Sequence, residues 1–542
     1  MKRHVAPVRF ETLGRMVREN AARRSHRSAI LWEAGGAGAA SGLGAPSGGG
    51  GEDRHLTHVA LNAAVNRFAS ALARRGAGRG DRVALLVGNR PEFVVAYYGA
   101  AKAGAVSVPL NTRLSGRELA YILADSGASL LVAQEDFWPA LAGRRAELSA
   151  LREVVWVGEA GPPAGARPFE AFLAEGEEAE PEEAASSGAL ASICYTSGTT
   201  GLPKGALLTH RNILVNGRNC EAVFRCTESD RTLVAVPLFH VTGLTSQLIA
   251  MGYVGASCVL MSRYKTEEVM RLIEKFRVTH LIAAPTIFVL MLLHERCAGY
   301  DMDCLRIASY GGGPIAPETV RGIKARFPRA EAIQLYGLTE TSGMVTYHPD
   351  EMALAKPTSV GRLAPECELC TVDEDDNPLP PGGVGELCAR APNVVSGYWN
   401  KEEATAEAMR GGWFHTGDLA RYDADGYYYI LDRKKDMICR GAENIYSKEV
   451  EDVLYTHPAV MEAALYGVPD RVFGEVPRAA VVLRPGKSAE EEEIRAFCAG
   501  RLADYKIPTK VRFLAELPKN ANGKILKRAL RESDPGLQAG RV

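Results

Sequence analysis

Hydrophobic positions along this chain switch between two rhythms. Short, nearly continuous apolar runs suit buried strands: SAILWE (28–33), DRVALLVGN (81–89), AVSVPL (105–110) and SLLVAQ (129–134). Between them, apolar residues recur at helical spacing, as at Leu61, Ala64, Val65, Phe68 and Leu72. Residues 10–33 read as a helix and then a strand, and PEFVVAYYGAAKAG (91–104) and SGRELAYILADSG (115–127) as helices. Alternation of this kind predicts a parallel sheet covered by helices. It returns after residue 230 in TLVAVPL, a long apolar helix, SCVLM, KTEEVMRLIEKFR, THLIAAP, a further helix and RIASYGGGP. A duplicated α/β layout follows, although no sequence repeat is visible.

Three stretches break the rhythm. Ala34–Gly51 is a Gly/Ala/Ser tract that cannot bury a face and reads as a mobile hairpin loop. Glu175–Glu182 is an acidic, proline-containing surface connection. From about Val360 the pattern turns to short strands and turns, with Asp375-Asp376-Asn377-Pro378 and Pro381-Gly382-Gly383 as turn signals, which suits a small β-rich lobe. SKEVEDVLYTH (447–457) to VRFLAEL (511–517) makes a compact α+β unit, and the boundary falls near Asp432. The expected fold is α/β: a large N-terminal domain of parallel α/β sheets plus a small β-rich lobe, over residues 1–431, and a small α+β C-terminal domain.

Charge and cysteine content narrow the function. Lys and Arg number 64 and Asp and Glu 65, so nothing draws the chain in bulk to nucleic acid or an anionic membrane. The 11 cysteines are irregularly spaced and mostly sit in apolar runs, as reduced thiols of a cytoplasmic protein do. Cys367 and Cys370 form a Cys-x-x-Cys with no second pair at zinc spacing. The N-terminus is basic but lacks an apolar core, so no signal peptide is expected. Leu238–Met261 is long and apolar, but it holds His240, Gln247 and several hydroxyls and reads as a core segment, not a membrane span.

The densest chemistry lies in Tyr195-Thr196-Ser197-Gly198-Thr199-Thr200-Gly201-Leu202-Pro203-Lys204, followed by Gly205. The run Ala189–Cys194 before it suits a strand, and Leu207, Leu208, Ile213 and Leu214 after it suggest one helical face. A loop of glycines and hydroxyls between strand and helix is a good phosphate cradle. It is not a Walker A loop, which needs Gly-Lys-Ser/Thr; the competing reading is a solvent-exposed turn.

Four further motifs are each two-sided. His240 in an apolar run is either a core histidine or a functional one. Gly311-Gly312-Gly313 ends a strand and leaves room for a flat ring or for a tight turn. Tyr336-Gly337-Leu338-Thr339-Glu340 follows a strand; Glu340 could hold Mg²⁺ or simply face a helix dipole. Asp418, in Trp413-Phe414-His415-Thr416-Gly417-Asp418, could accept ribose hydroxyls or close an Asx-turn. Lys524, in Lys519–Lys527 (KNANGKILK), is a tail lysine that spacing alone would not single out.

Taken in order, YTSGTTGLPKG, YGLTE, WFHTGD, DRKKDMI and NGKILK resemble the adenylate-forming superfamily of acyl-CoA synthetases, luciferases and peptide-synthetase adenylation domains, from about residue 10 to 530. The resemblance is to an AMP-forming acyl-CoA synthetase. It implies that the loop from Thr196 to Lys204 binds the β,γ-phosphates of ATP, that Gly311, Gly312 and Gly313 flank adenine and floor the acid pocket, and that Tyr336, followed by Gly337, packs on adenine. Thr339 and Glu340 would serve phosphate and Mg²⁺, with Glu340 the metal ligand. Asp418 would hold the ribose with Arg433 close by, and Lys524 would be the adenylation lysine. Residues 432–436 would be the hinge, with Lys435 its pivot, and 437–542 the mobile domain. His240 would match the gate to the pantetheine tunnel, and Gly441-Ala442 would line the CoA path, where many relatives carry Gly-Gly.

The implied reaction is adenylation of a carboxylic acid by MgATP and transfer of the acyl group to CoA, releasing pyrophosphate and AMP. No nucleophile elbow Gly-x-Ser-x-Gly is present, and none is needed. The alternatives are an adenylating enzyme that loads a carrier protein, and a non-catalytic nucleotide-binding protein. Leu238–Met251 and Ile307–Pro317, the stretches the resemblance places at the acid pocket, contain no Lys or Arg, so an apolar fatty or aromatic monocarboxylic acid is expected. Oligomeric state stays open, a homodimer included.

Overall fold

In this computed structural model the residues described are 6–33, 43, 45–46, 53–196, 202–313, 315–441, 443–519 and 525–535. They fall into two compact units, residues 1–368 with 389–414, and residues 369–388 with 415–542.

The first unit carries both predicted α/β sheets. One has ten strands in the order Arg362–Leu363, Gly343–His348, Glu331–Leu338, Ile307–Gly311, His280–Ala283, Arg231–Val234, Ser257–Leu260, Ser28–Glu33, Asp53–Thr57 and Ala45–Pro46. Its middle, from Glu331–Leu338 to Ser28–Glu33, is parallel, and both edges are antiparallel. The parallel strands are buried on both faces, which is why they read as unbroken apolar runs. Val269, Met270, Ile273, Phe276 and Phe288, from two covering helices, pack with Leu233, Leu281 and Tyr310 of the strands. The other sheet has seven strands, Lys204–Thr209, Leu190–Thr196, Val106–Pro109, Arg82–Leu86, Leu130–Gln134, Glu153–Val157 and Ala166–Pro168, parallel except for the first. Of the Gly/Ala/Ser tract 34–51, only Leu43 and the strand Ala45–Pro46 are among the described residues.

That first strand corrects an expectation. The glycine-rich loop joins two antiparallel strands, not a strand to a helix. Lys204 pairs with Thr196, Gly205 with Tyr195 and Leu207 with Ile193. The helix begins only at His210. Its start is set by a capping box: the Thr209 hydroxyl accepts from the Asn212 N–H (3.1 Å), and the Asn212 side chain accepts from the Thr209 N–H (3.1 Å). Leu207 and Leu208 therefore belong to the edge strand and not to the helix.

The apolar segment after residue 238 is a core element, as expected, but its first part, Thr242–Ile249, is a π-helix continuing into the α-helix Ala250–Val254. Buried Gln247 donates to the Leu233 carbonyl at 2.7 Å, tying this helix to the sheet.

The second unit holds most of a four-stranded sheet, Glu368–Val372, Gly385–Arg390, Phe414–Tyr422 and Tyr428–Arg433, and a five-stranded sheet formed by Ile438–Arg440, Glu443–Ile445, Val460–Asp470, Gly474–Leu483 and Lys510–Phe513. Strand alternation divides the five-stranded sheet's core. Ala463, Leu465, Ala479 and Val481 pack with Val450, Leu454 and Ile494, while Ala464, Tyr466, Ala480 and Val482 pack with Leu530. The lobe's strands thus group with the C-terminal residues.

Candidate functional site

Three predicted motifs of the first unit meet one edge of the ten-stranded sheet. Strands Arg231–Val234, Ile307–Gly311 and Glu331–Leu338 run parallel, so the segments after them emerge at their carboxyl ends, the usual ligand edge of such sheets. The strand ends and the segments after them carry His240, Gly311–Gly313 and Tyr336–Glu340.

Gly311 and Leu335 are register partners, so Tyr336 lies beside the glycine turn. A Cβ on Gly311 would come within 2.5 Å of the Leu335 carbonyl oxygen, and Gly312 has φ +75°, with open space where its Cβ would be. The glycines thus serve a close approach and a left-handed turn at once. Tyr336 and Gly337 are half-buried.

His240 is half-buried, and its Nδ1 accepts from the Thr242 N–H at 3.2 Å. Burial holds its pKa below the ordinary value of 6.5, so the ring is neutral at neutral pH. Asn89 pins the chain leading to it: its side chain donates to the carbonyls of Val234 (2.9 Å) and Val236 (3.2 Å) and accepts from the Leu238 N–H (2.8 Å).

Glu340 lies on the single 3₁₀ turn Thr339–Thr341 and is 9% exposed. Its Oε1 accepts from the Tyr398 hydroxyl at 2.9 Å, and its Oε2 has no partner among the described residues. The Lys204 ammonium sits 5.5 Å from the centre of the same Tyr398 ring. The structure therefore brings together Lys204 and Glu340, which stand 136 residues apart, through a tyrosine that sequence reasoning missed. At the other stem of the loop, the Thr196 hydroxyl donates to the Lys204 carbonyl (3.4 Å), and the Tyr195 hydroxyl donates to Asp125 (2.7 Å).

In the second unit Asp418 and Arg433 face each other across paired strands, with Arg433 Nε 2.6 Å from Asp418 Oδ1. Asp418 is 4% exposed, and its N–H donates to the Thr416 hydroxyl (3.0 Å). Glu386, also missed, accepts from the Gly417 N–H (3.2 Å) and pairs with Lys434 (3.2 Å), the residue before Lys435. The Lys434 ammonium, the His415 ring and hydrogen bonds from both hold the Glu386 carboxyl below its usual range despite burial. Glu386 lies on Gly385–Arg390, the strand that pairs with the Asp418 strand, and nothing in local spacing marks it. Gly441 donates its N–H to the Phe473 carbonyl at 2.6 Å. Ser197, Gly198, Thr199, Thr200, Ala442 and Lys524 lie outside the described residues.

Among the described residues no group of three or more His, Cys, Asp or Glu could cage a metal ion. The donors at Glu340 and Thr339 are hard oxygens. They fit Mg²⁺, which takes one or two protein oxygens and completes its octahedron with phosphates and water.

Comparison with known proteins identifies the family. Residues 17–399 match the AMP-binding enzyme family, and residues 449–524 match its C-terminal domain. The chain is 36% identical to the indoleacetate–CoA ligase of Aromatoleum aromaticum, over 89% of this chain and 93% of that protein. It is 37% identical to the long-chain-fatty-acid–CoA ligase FadD13 of Mycobacterium tuberculosis, with the same coverage. It also superposes on the crystal structure of the anthranilate–CoA ligase AuaEII in complex with anthranoyl-AMP, with a TM-score of 0.87 and 28% identity, covering 98% of this chain and 99% of that one. The chain belongs to the AMP-binding enzyme family, and within it to the AMP-forming carboxylic acid–CoA ligases.

Proposed function

We propose that this ligase activates an apolar fatty or aromatic monocarboxylic acid, and that its two chemical steps draw on different residues of the site. The observation that carries the assignment of roles is the pairing of Lys204 and Glu340 on the two faces of one function: a cation at the end of the phosphate loop and a carboxylate able to hold the metal, joined by Tyr398.

In the first step a carboxylate oxygen of the acid attacks the α-phosphorus of ATP in line. An O–P bond forms, the bridge to the β-phosphate breaks, and pyrophosphate leaves. Thr196–Lys204 cradles the β,γ-phosphates, and Gly311–Gly313 with Tyr336 holds adenine. Asp418, kept in place by Arg433, accepts the ribose hydroxyls. Thr339 and Glu340 would hold Mg²⁺, which when bound would neutralise charge on the phosphates. Lys524 donates to the developing charge during this step alone. In the second step the CoA thiol attacks the acyl carbonyl, a C–S bond forms, the C–O bond to AMP breaks, and the thiol proton passes to solvent. His240 is neutral and stands at the gate between acid and thiol. The segment beyond Lys435 turns about that residue between the steps, and Gly441 and Ala442 line the path of the incoming thiol.

The substrate class rests on the absence of Lys and Arg from Leu238–Met251 and Ile307–Pro317, where a second carboxylate would be buried without a cation. The indoleacetate, long-chain fatty acid and anthranilate of the relatives' names fit this class. Eleven cysteines, all free thiols, support a reducing compartment, the cytoplasm. The test is a panel of aryl, fatty and dicarboxylic acids supplied with ATP, Mg²⁺ and CoA. An apolar monocarboxylic acid should give the highest kcat/KM, with AMP and pyrophosphate formed in equal amounts. Malonate or succinate as the best substrate, or ADP as the product, contradicts the proposal.

A further inference from the structure

The chain between Asn393 and Trp399 straps together two motifs that are distant in sequence. Asn393 donates to the carbonyls of Thr341 (2.7 Å) and Met344 (3.0 Å), and the Val395 N–H donates to the Glu340 carbonyl (2.8 Å). The strap thereby fixes the backbone of the Glu340 turn from behind. It then runs beside the outer strand of the loop hairpin: the Leu207 N–H donates to the Gly397 carbonyl (3.1 Å), the Trp399 N–H to the Gly205 carbonyl (2.8 Å), and Ala206 and Tyr398 are antiparallel partners. Tyr398 thus reaches both motifs, with its hydroxyl on Glu340 and its ring near Lys204. Its own N–H is held by the Thr405 hydroxyl at 2.9 Å.

We propose that Tyr398 is a positioning residue for ATP activation: its hydroxyl orients the Glu340 carboxylate toward the metal, and its ring holds the Lys204 ammonium at the phosphate loop. This rests on the reading of Glu340 as the metal-side carboxylate. The chemistry is specific. A carboxylate with one oxygen occupied by a phenol presents the other in a fixed direction. An aromatic face beneath an ammonium restrains it without neutralising it. Tyrosine supplies both from a single position, whereas Phe keeps the ring and lacks the donor.

The test uses the full-length protein without acid, so that nothing turns over. MgATP, and separately ATP in EDTA, are titrated by calorimetry into the wild type, Tyr398→Phe, Tyr398→Leu and Glu340→Gln, and melting temperatures are recorded. Tyr398→Phe should weaken MgATP binding on the order of 10-fold, the usual effect of removing an outer-shell partner. It should leave metal-free ATP binding and Tm near wild type. Tyr398→Leu should weaken binding of ATP both with and without metal. If Glu340→Gln weakens MgATP binding but Tyr398→Phe does not, the role of Tyr398 is overturned while that of Glu340 stands. If Glu340→Gln leaves MgATP binding intact, the underlying reading of Glu340 fails. If Tyr398→Phe weakens both forms of ATP equally and lowers Tm, the tyrosine is merely structural.

Discussion

His210 shows how one buried residue sets a response to pH. It opens the helix that follows the hairpin and is fully buried, with Nδ1 accepting from the Leu13 N–H at 3.2 Å. Burial pulls its pKa from 6.5 to about 4, and the positive end of its own helix opposes a charge there as well. Because the folded state binds its proton less readily than the unfolded state, stability rises with pH between about 4 and 6.5 and falls on acidification through that window. The full effect is about 3 kcal/mol for this single group. His210→Gln should therefore show a smaller fall in Tm between pH 7 and pH 5 than the wild type does. An identical fall would contradict the assignment. Composition carries no hint of this residue. His210 reads as one more polar position after Thr209, and only the packing of the N-terminal helix over it reveals the burial.

Elements were legible where local pattern and tertiary pairing agree. The run Leu130–Gln134 and the helix Gly116–Ser126 lie where periodicity puts them, because a doubly covered strand and an amphipathic helix leave opposite marks. The hairpin was not legible, because Lys204–Thr209 owes its extended state to pairing with Leu190–Thr196 across a loop, while its adjacent leucines resemble a helical face. The cap Thr209-x-x-Asn212 was the signal that could have moved the helix start. That cap gives an element-scale prediction. Thr209→Ala should cost about 1 kcal/mol in urea denaturation, as loss of an N-cap does, and Thr209→Ser should recover most of it. Equal stability of all three proteins would show that the helix start is held by other contacts. Tyr398 was illegible for a related reason, since its two partners are 58 and 194 residues away and neither local spacing nor composition marks it.

For the whole molecule, the two α/β sheets and the later β-rich strands followed from the order of elements, whereas the grouping of residues 369–388 with the C-terminal unit depends on strand pairing between segments distant in sequence. In the proposed mechanism one chain performs two steps with separable residues. Binding energy realised in one transition state affects only that step. The most direct test measures each half-reaction separately in two variants. Lys524→Ala should slow acid-dependent ATP–pyrophosphate exchange by roughly 10²–10³-fold, the scale of losing one charge-stabilising donor, while supplied acyl-adenylate and CoA still yield thioester at the wild-type rate. Lys435→Pro, which restricts φ at the pivot, should leave exchange near wild type and impair thioester formation. If Lys524→Ala slows both steps equally, the division of labour is wrong and Lys524 is a structural residue.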